Sequence, residues 1–263
     1  MNQLTFSGQW TERSLFVEPG AAPMTQRQLN LYYYFLFIKK ILAARGTKKV
    51  LEVGAGRGTI SLYLAKYLGL EMTLLDDVPE AMALAREDFT RHNVPAEFVV
   101  GDALAAKLPD ASFDAVVSIG LAEHFPPAAV GQLFAEQYRL LRPGGVMISL
   151  NIPQKFSIQS LNWFNKILHL DPKRPDYFRN KLKTRDFARL ARQAGFTKVT
   201  TTHVCPFPIW VPVSPRFDRF ITSLRRAHLR LRSLFMSYPF KTNPLVAQAH
   251  FLVGEKNEND NDI

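Results

Sequence analysis

Two hydrophobic periods take turns along this chain. Between about Lys48 and Asn151, short aliphatic runs predict strands at Lys49–Val53, Met72–Leu75, Glu97–Val100, Phe113–Ile119 and Val146–Leu150. Apolar residues recur at helical spacing over Ile60–Leu68, from Pro79 to His92, and from Pro126 to Leu141. Proline suits a helix's first turn, where its missing N–H has no partner anyway and its φ is preset. Arg142-Pro143-Gly144-Gly145 reads as a sharp break before the fifth strand. Strands and helices alternating at these lengths imply right-handed βαβ units and a parallel sheet buried on both faces.

Outside that stretch the pattern is less regular. Residues 25–44 predict a helix ahead of the first strand. Phe187 to Ala194 reads as a helix ending at Gly195, and Thr197–His203 and Val246–Val253 as two last strands. Between those strands Pro206, Pro208, Pro212 and Pro215 favour an extended path. Arg216 to Phe235 then carries Phe217, Phe220, Ile221, Leu224, Leu231 and Leu234 at helical spacing, with arginines 216, 219, 225, 226, 230 and 232 largely off that stripe. This is an amphipathic basic helix, and an apolar face packed on the domain is its simplest reading. The fold class is therefore α/β: a doubly wound, mostly parallel seven-stranded sheet with an N-terminal helix and an inserted C-terminal cap.

The chemistry concentrates at the end of the first strand, in Glu52-Val53-Gly54-Ala55-Gly56-Arg57-Gly58. Glycines there let the chain turn tightly and let a ligand approach the backbone and the N-terminus of the next helix. In open α/β sheets that carboxyl edge is where ligands bind. A dinucleotide fingerprint would need glycine at 59, which is Thr59, and a phosphate-binding Walker loop would need a lysine that is missing. The glycines fall instead at alternate positions, with an acid at 52.

That E-x-G-x-G-x-G form resembles motif I of the class I S-adenosylmethionine-dependent methyltransferases, and the resemblance continues in order over roughly residues 48–151. It implies that Glu52, Gly54, Gly56 and Gly58 form the cofactor loop. It also implies that Asp76 at the end of the second strand, or less directly Asp77, accepts from the ribose hydroxyls. Asp102, with Ala103, then meets the adenine amino group. Ser118 in the fourth strand and Tyr33 on the N-terminal helix complete the implied set, since an aromatic face can stabilise a sulfonium. Three adjacent tyrosines, Tyr32 to Tyr34, point three ways around a helix, so at most one or two face a cofactor. The chain accordingly divides into a helical lid (1–47), an S-adenosylmethionine-binding core (48–151), a completion of the sheet with an inserted aromatic and basic cap (152–254), and a tail expected to be disordered (255–263).

Methyl transfer from a sulfonium is an in-line displacement, so positioning and water exclusion dominate and a base is needed only for a protonated acceptor. Glu123 and His124, just beyond the fourth strand, are the candidates for that acid–base role; both also lead into the helix begun at Pro126. His203 and His250 sit within strand patterns and read as structural. The single Cys205 and the scattered histidines make a metal site improbable. Ser118-Ile119-Gly120-Leu121 departs from the [DNS]-P-P-[YF] signature of enzymes that methylate amino groups of nucleic-acid bases.

Composition sharpens the partners. The 263 residues are 47% hydrophobic and 21% charged, as expected of a globular chain. Residues 1–150 hold 14 basic and 15 acidic side chains and residues 151–263 hold 19 and 8, so the net charge of +10 lies entirely in the second part. Phe156, Trp163, Phe164, Tyr177, Phe178, Phe207, Trp210, Phe217 and Phe220 share that part, which suggests a small hydrophobic or aromatic acceptor, lipid-like or anionic. Peripheral contact with an anionic membrane is a further reading of the basic helix. Nucleic acid is disfavoured, because the arginines alternate with apolar residues at packing spacing. One cysteine and no secretory signal fit a cytoplasmic or membrane-peripheral location. The expected activity is methyl transfer to a small acceptor. The alternatives are intramolecular displacement releasing methylthioadenosine, or methylation by an RNA-binding enzyme.

Overall fold

A computed structural model describes residues 14–23, 25–154, 178–207 and 214–259. Its seven strands are β1 (Lys49–Val53), β2 (Glu71–Asp76), β3 (Glu97–Val100), β4 (Phe113–Ile119), β5 (Leu141–Asn151), β6 (Thr197–Val204) and β7 (Ala249–Glu255). They form one sheet in the order β3-β2-β1-β4-β5-β7-β6. The first five pair in parallel, while β7 runs antiparallel to both β5 and β6. The order reverses between β1 and β4, and the carboxyl ends of those strands form the crevice where such sheets take ligands.

Alternation along β1 shows how the sheet is buried. Val50 faces a core formed with α1 (Gln26–Ala43), α2 (Thr59–Leu68) and α3 (Pro79–Arg91), while Leu51 and Val53 face a second core with α4 (Pro127–Leu140) and α5 (Thr184–Gln193). Five of these helices thus clothe the two faces, as the doubly wound reading requires. A sixth, α6 (Pro215–Ser233), packs against α1. Helix α1 starts at a capping box, in which the Thr25 hydroxyl accepts from the Gln28 amide and the Gln28 side chain accepts from that of Thr25, both at 3.1 Å.

Three expectations need correction. The break at Arg142-Pro143-Gly144-Gly145 lies inside β5 as a bulge: Phe113 pairs with Leu141, yet Ala115 pairs with Val146. Gly144 takes φ 75°, which a side chain would resist. Strand β7 begins at Ala249 rather than Val246. The Asn243 carboxamide accepts from the amides of Leu245 and Val246 at 3.0 and 3.2 Å, and this side-chain turn holds them off the sheet. The disorder expected from residue 255 does not begin there. Glu255 closes β7 and pairs with Arg45 and Lys198, and the Lys256 ammonium donates to the carbonyls of Tyr138 and Leu141 at 3.1 and 2.9 Å.

The fourth correction concerns α6. Its buried positions are Asp218, Thr222, Arg225 and Leu229, while Phe220, Leu224 and Leu231 of the expected packing stripe, and Leu234 just beyond, are exposed. Phe217 and Ile221 of the same stripe are half-buried, so the periodicity is as expected but the helix is rotated, with most of the stripe turned outward. Of the aromatic residues expected in a cap, Phe156, Trp163, Phe164, Tyr177 and Trp210 lie outside the described residues. Phe178 and Phe220 are exposed, and Phe207 lies under the Arg225 guanidinium.

Candidate active site

The loop after β1 is built from left-handed glycines. Gly54, Gly56 and Gly58 have φ of 67°, 54° and 63°, a region that other residues rarely enter. A Cβ at Gly54 would come within 2.7 Å of the Leu121 side chain, and one at Gly58 within 2.2 Å of Leu74. The amides of Gly54 and Ala55 both donate to the carbonyl of Leu75, which ties the loop to β2.

Two acids complete the loop in different ways. Oε2 of Glu52 accepts from the amide of Ser61 at 3.0 Å and from its hydroxyl at 2.5 Å. Helix α2 has Gly58 at its N-cap and no side-chain cap of its own, so Glu52 supplies the missing acceptor, a favourable place for a carboxylate. Burial raises its pKa to about 7. Asp76 accepts from the amide of Gly56 at 2.7 Å through Oδ2 and from Val78 at 3.0 Å through Oδ1. Each oxygen keeps a lone pair for a ligand hydroxyl. Its pKa is also raised by burial, against the opposing effect of those two amides.

Asp77 accepts from its own backbone amide; burial raises its pKa, and the charge of Asp102 adds to that rise. Asp102 Oδ1 caps its own turn by accepting from Leu104 at 2.8 Å, and its side chain is exposed beside Ala103. The carboxyl ends of β1, β2 and β3 therefore bring together the loop glycines, Asp76, Asp77 and Asp102. This arrangement fits an adenosyl group: a cradle that side chains would fill, with carboxylates for its hydroxyl and amino donors.

Ser118 and Tyr33 do not join it. Ser118 is buried, its hydroxyl donating to Ser149 at 3.0 Å, and Ser149 in turn donating to Asn151 at 3.1 Å. Tyr33 stacks on Phe240 at 4.9 Å between ring centroids, and its carbonyl accepts from the Tyr238 hydroxyl. The α1 residue near the loop is Arg27, whose pKa is lowered by burial and then by the charge of Arg57. Tyr33 lies six residues further on, roughly 9 Å along the helix axis.

On the other side of the crevice, Ala122–His124 form a single 3₁₀ turn. Glu123 is buried there, with Oε1 3.4 Å from where a Cβ on Gly120 would lie. Its carboxyl accepts from its own amide and that of Ile152, while Oε2 has no hydrogen-bond partner among the described residues. Burial raises its pKa to about 7 despite those bonds and the nearby Arg179. His124 diverges from it: Nδ1 donates to the carbonyl of Phe178 at 3.1 Å, which sets the tautomer, and burial lowers its pKa.

Three participants were not singled out by sequence reasoning. Asn180 clasps the 3₁₀ turn: its amide donates to the Glu123 carbonyl at 2.8 Å, and Nδ2 to the carbonyls of Ala122 and Phe125 at 2.9 Å each. Tyr34 is buried next to Tyr33, with its hydroxyl 2.9 Å from Cys205 Sγ and its ring edge-on to Phe240 and Phe251; burial raises its pKa, helped by Cys205, Tyr238 and Glu123. Arg57, a variable position of the loop motif, forms a buried pair with Asp88 at 2.8 Å and so anchors the loop to α3. None of these contacts leaves a spacing signal, because each joins distant segments. Among the described residues no group of acidic, histidine or cysteine side chains could hold a metal ion.

The comparisons agree with this geometry. Residues 50–145 match the family model for a methyltransferase domain. The match, the fold and the loop together make residues 50–145 a methyltransferase domain similar to those of the class I S-adenosylmethionine-dependent enzymes. It is 38% identical over 119 residues to the 2-methyl-6-phytyl-1,4-hydroquinone methyltransferase of a Synechocystis species, a match covering 44% of this chain and 36% of that protein. It is 32% identical over 110 residues to the demethylmenaquinone methyltransferase of Thermus thermophilus, covering 41% and 49%. The matches thus span less than half of either relative. The PH0226 protein of Pyrococcus horikoshii OT3 has the same fold, with a TM-score of 0.59 at 20% identity over 92% of this chain and 97% of that one.

Proposed function

We propose that this protein transfers a methyl group from S-adenosylmethionine to a small lipophilic acceptor of the quinone or hydroquinone kind, with Glu123 as the acceptor's base. One observation carries the proposal. The glycine cradle and Asp76 stand on one side of the crevice, and on the other stands a buried carboxyl with one unpartnered oxygen. When bound, S-adenosylmethionine supplies an electrophilic methyl group. The chain's own residues do the rest. Asp76 accepts from the ribose hydroxyls while holding Gly56 in place, and Asp102 accepts from the adenine amino group. Glu123, with a pKa near neutrality, takes the proton that the acceptor must lose as its nucleophilic atom is alkylated. Asn180 fixes the turn that aims Glu123, and the half-buried Leu121 beside Gly54 helps exclude water from the same side.

The acceptor class rests on the relatives named for a phytyl hydroquinone and for demethylmenaquinone. Mass spectrometry of ligand carried through purification, followed by product analysis with short-chain quinols, tests both parts. S-adenosylhomocysteine with a methylated quinol supports the proposal. Methylthioadenosine in its place would assign intramolecular displacement instead.

A further inference from the structure

Helix α6 turns Asp218, Thr222 and Arg225, together with Leu229, to the protein and leaves much of its apolar stripe in solvent. Inward, the Gln26 carboxamide donates to Asp218 at 2.8 Å, Thr222 donates to the Asp218 carbonyl at 2.7 Å, and the buried Arg225 lies over Phe207. Outward stand Phe220, Leu224, Leu231, Leu234 and Phe235, with exposures from 54% at Leu224 to 82% at Phe235. Helical spacing puts Phe220, Leu224, Ala227, Leu231 and Leu234 on one ridge. Exposed Leu245 and Val246 add apolar surface in the turn before β7.

The rim of this ridge has one sign of charge. The same spacing sets Arg219, Arg226 and Arg230 in a row along one flank, with Arg216 at its start. The helix's one acid, Asp218, is turned inward. Arg225 and Arg232 are engaged elsewhere, Arg232 donating to the carbonyls of Pro239 and Lys241. An apolar ridge flanked by unopposed arginines matches the boundary between acyl chains and anionic headgroups. It does not match a spanning segment, since no described helix is long and apolar enough to cross a membrane.

We infer that the outer face of α6 docks the protein on an anionic lipid bilayer, with Phe220, Leu224, Leu231 and Leu234 entering the interface and Arg216, Arg219, Arg226 and Arg230 meeting lipid phosphates. The concentration of the chain's positive charge beyond residue 150 gives the same orientation. The inference stands apart from the identity of the acceptor, because its readout is binding to lipid alone.

Flotation of the full chain with two vesicle types tests it: phosphatidylcholine alone, and phosphatidylcholine mixed with phosphatidylglycerol. The protein should float with the anionic vesicles and not the neutral ones, and added salt should release it. Arg219→Glu/Arg226→Glu/Arg230→Glu should lower partitioning by roughly a hundredfold. Leu224→Ser/Leu231→Ser should lower it too, with an unchanged thermal midpoint showing that the fold survives. Flotation with neither vesicle, equal flotation with both, or flotation indifferent to salt would overturn the inference without reference to any variant. So would light scattering that finds a dimer split by Leu224→Ser/Leu231→Ser, because the ridge would then belong to a second copy of the chain.

Discussion

The backbone amide of Gly56 donates to Oδ2 of Asp76 at 2.7 Å, joining the turn after β1 to the end of β2. On the proposed function one carboxylate has two tasks: it fixes a left-handed glycine and keeps lone pairs for a ribose. Asp76→Ala removes both. Charge-assisted hydrogen bonds contribute roughly 1.5–3 kcal/mol each, so S-adenosylmethionine affinity should fall about 10- to 100-fold by calorimetry. Asp77→Ala should cost much less, because Asp76 is the acid that holds the Gly56 amide while Asp77 accepts from its own backbone. Equal losses in the two variants would place the ribose between them.

The three loop glycines should fail in different ways. Gly56→Val forces a β-branched residue to φ 54° beside the Asp76 anchor, so it should abolish cofactor binding. Gly58→Ala places a Cβ 2.2 Å from Leu74 and 3.2 Å from Phe89, both in the core. Overpacking of that kind costs typically 1–3 kcal/mol, and this variant should show a lowered denaturant midpoint first. A Gly58→Ala protein as stable as the parent would mean that the loop relaxes more freely than its packing implies.

Glu123 gives a pH dependence with a defined sign. Its folded pKa is raised from 4.5 to about 7, so the folded state holds a proton that the unfolded state has released. The associated stability is full below about pH 4.5 and is lost as pH rises toward 7 and above. Glu52, raised to about 7 as well, adds a decline in the same window. Each amounts to roughly 3 kcal/mol. Glu123→Gln should remove about half of the fall in unfolding free energy between those pH values. With Glu123 as the proposed base, activity runs the opposite way, since the base form appears only as the proton leaves: kcat/KM should rise through about pH 7 in the parent, and that limb should vanish in Glu123→Gln.

The parallel half of the sheet was legible because strand and helix periods there are local and the glycine spacing is a contiguous motif. Orientation was less legible. In α6 the periodicity identifies two faces, but which one is buried depends on Gln26, Cys205 and Phe207, residues far away in sequence that accept Asp218 and Arg225. Tyr33 and Tyr34 are adjacent and chemically identical, and both meet Phe240, but only Tyr34 reaches Cys205 while Tyr33 stacks flat on the Phe240 ring. Glu52 shows the same limit from another side. Its place in the motif was evident, whereas its bond to Ser61 required knowing that α2 begins at a glycine without a cap.

Gln137 offers a test of the packing that supports the site. It lies on α4, fully buried, and neither Nε2 nor Oε1 has a hydrogen-bond partner among the described residues. Its helix neighbours Leu133, Phe134 and Leu140 belong to the apolar core beneath β4 and β5. Leaving buried polar atoms unsatisfied costs about 1–3 kcal/mol, and methionine has nearly the same length without those atoms. Gln137→Met should therefore raise unfolding free energy by about 1–2 kcal/mol, read as a higher denaturant midpoint at unchanged slope. S-adenosylmethionine affinity should not move, since α4 contributes no residue to the glycine cradle. A destabilised Gln137→Met would instead show that the carboxamide has a partner in the working protein, most simply an ordered water held against the sheet.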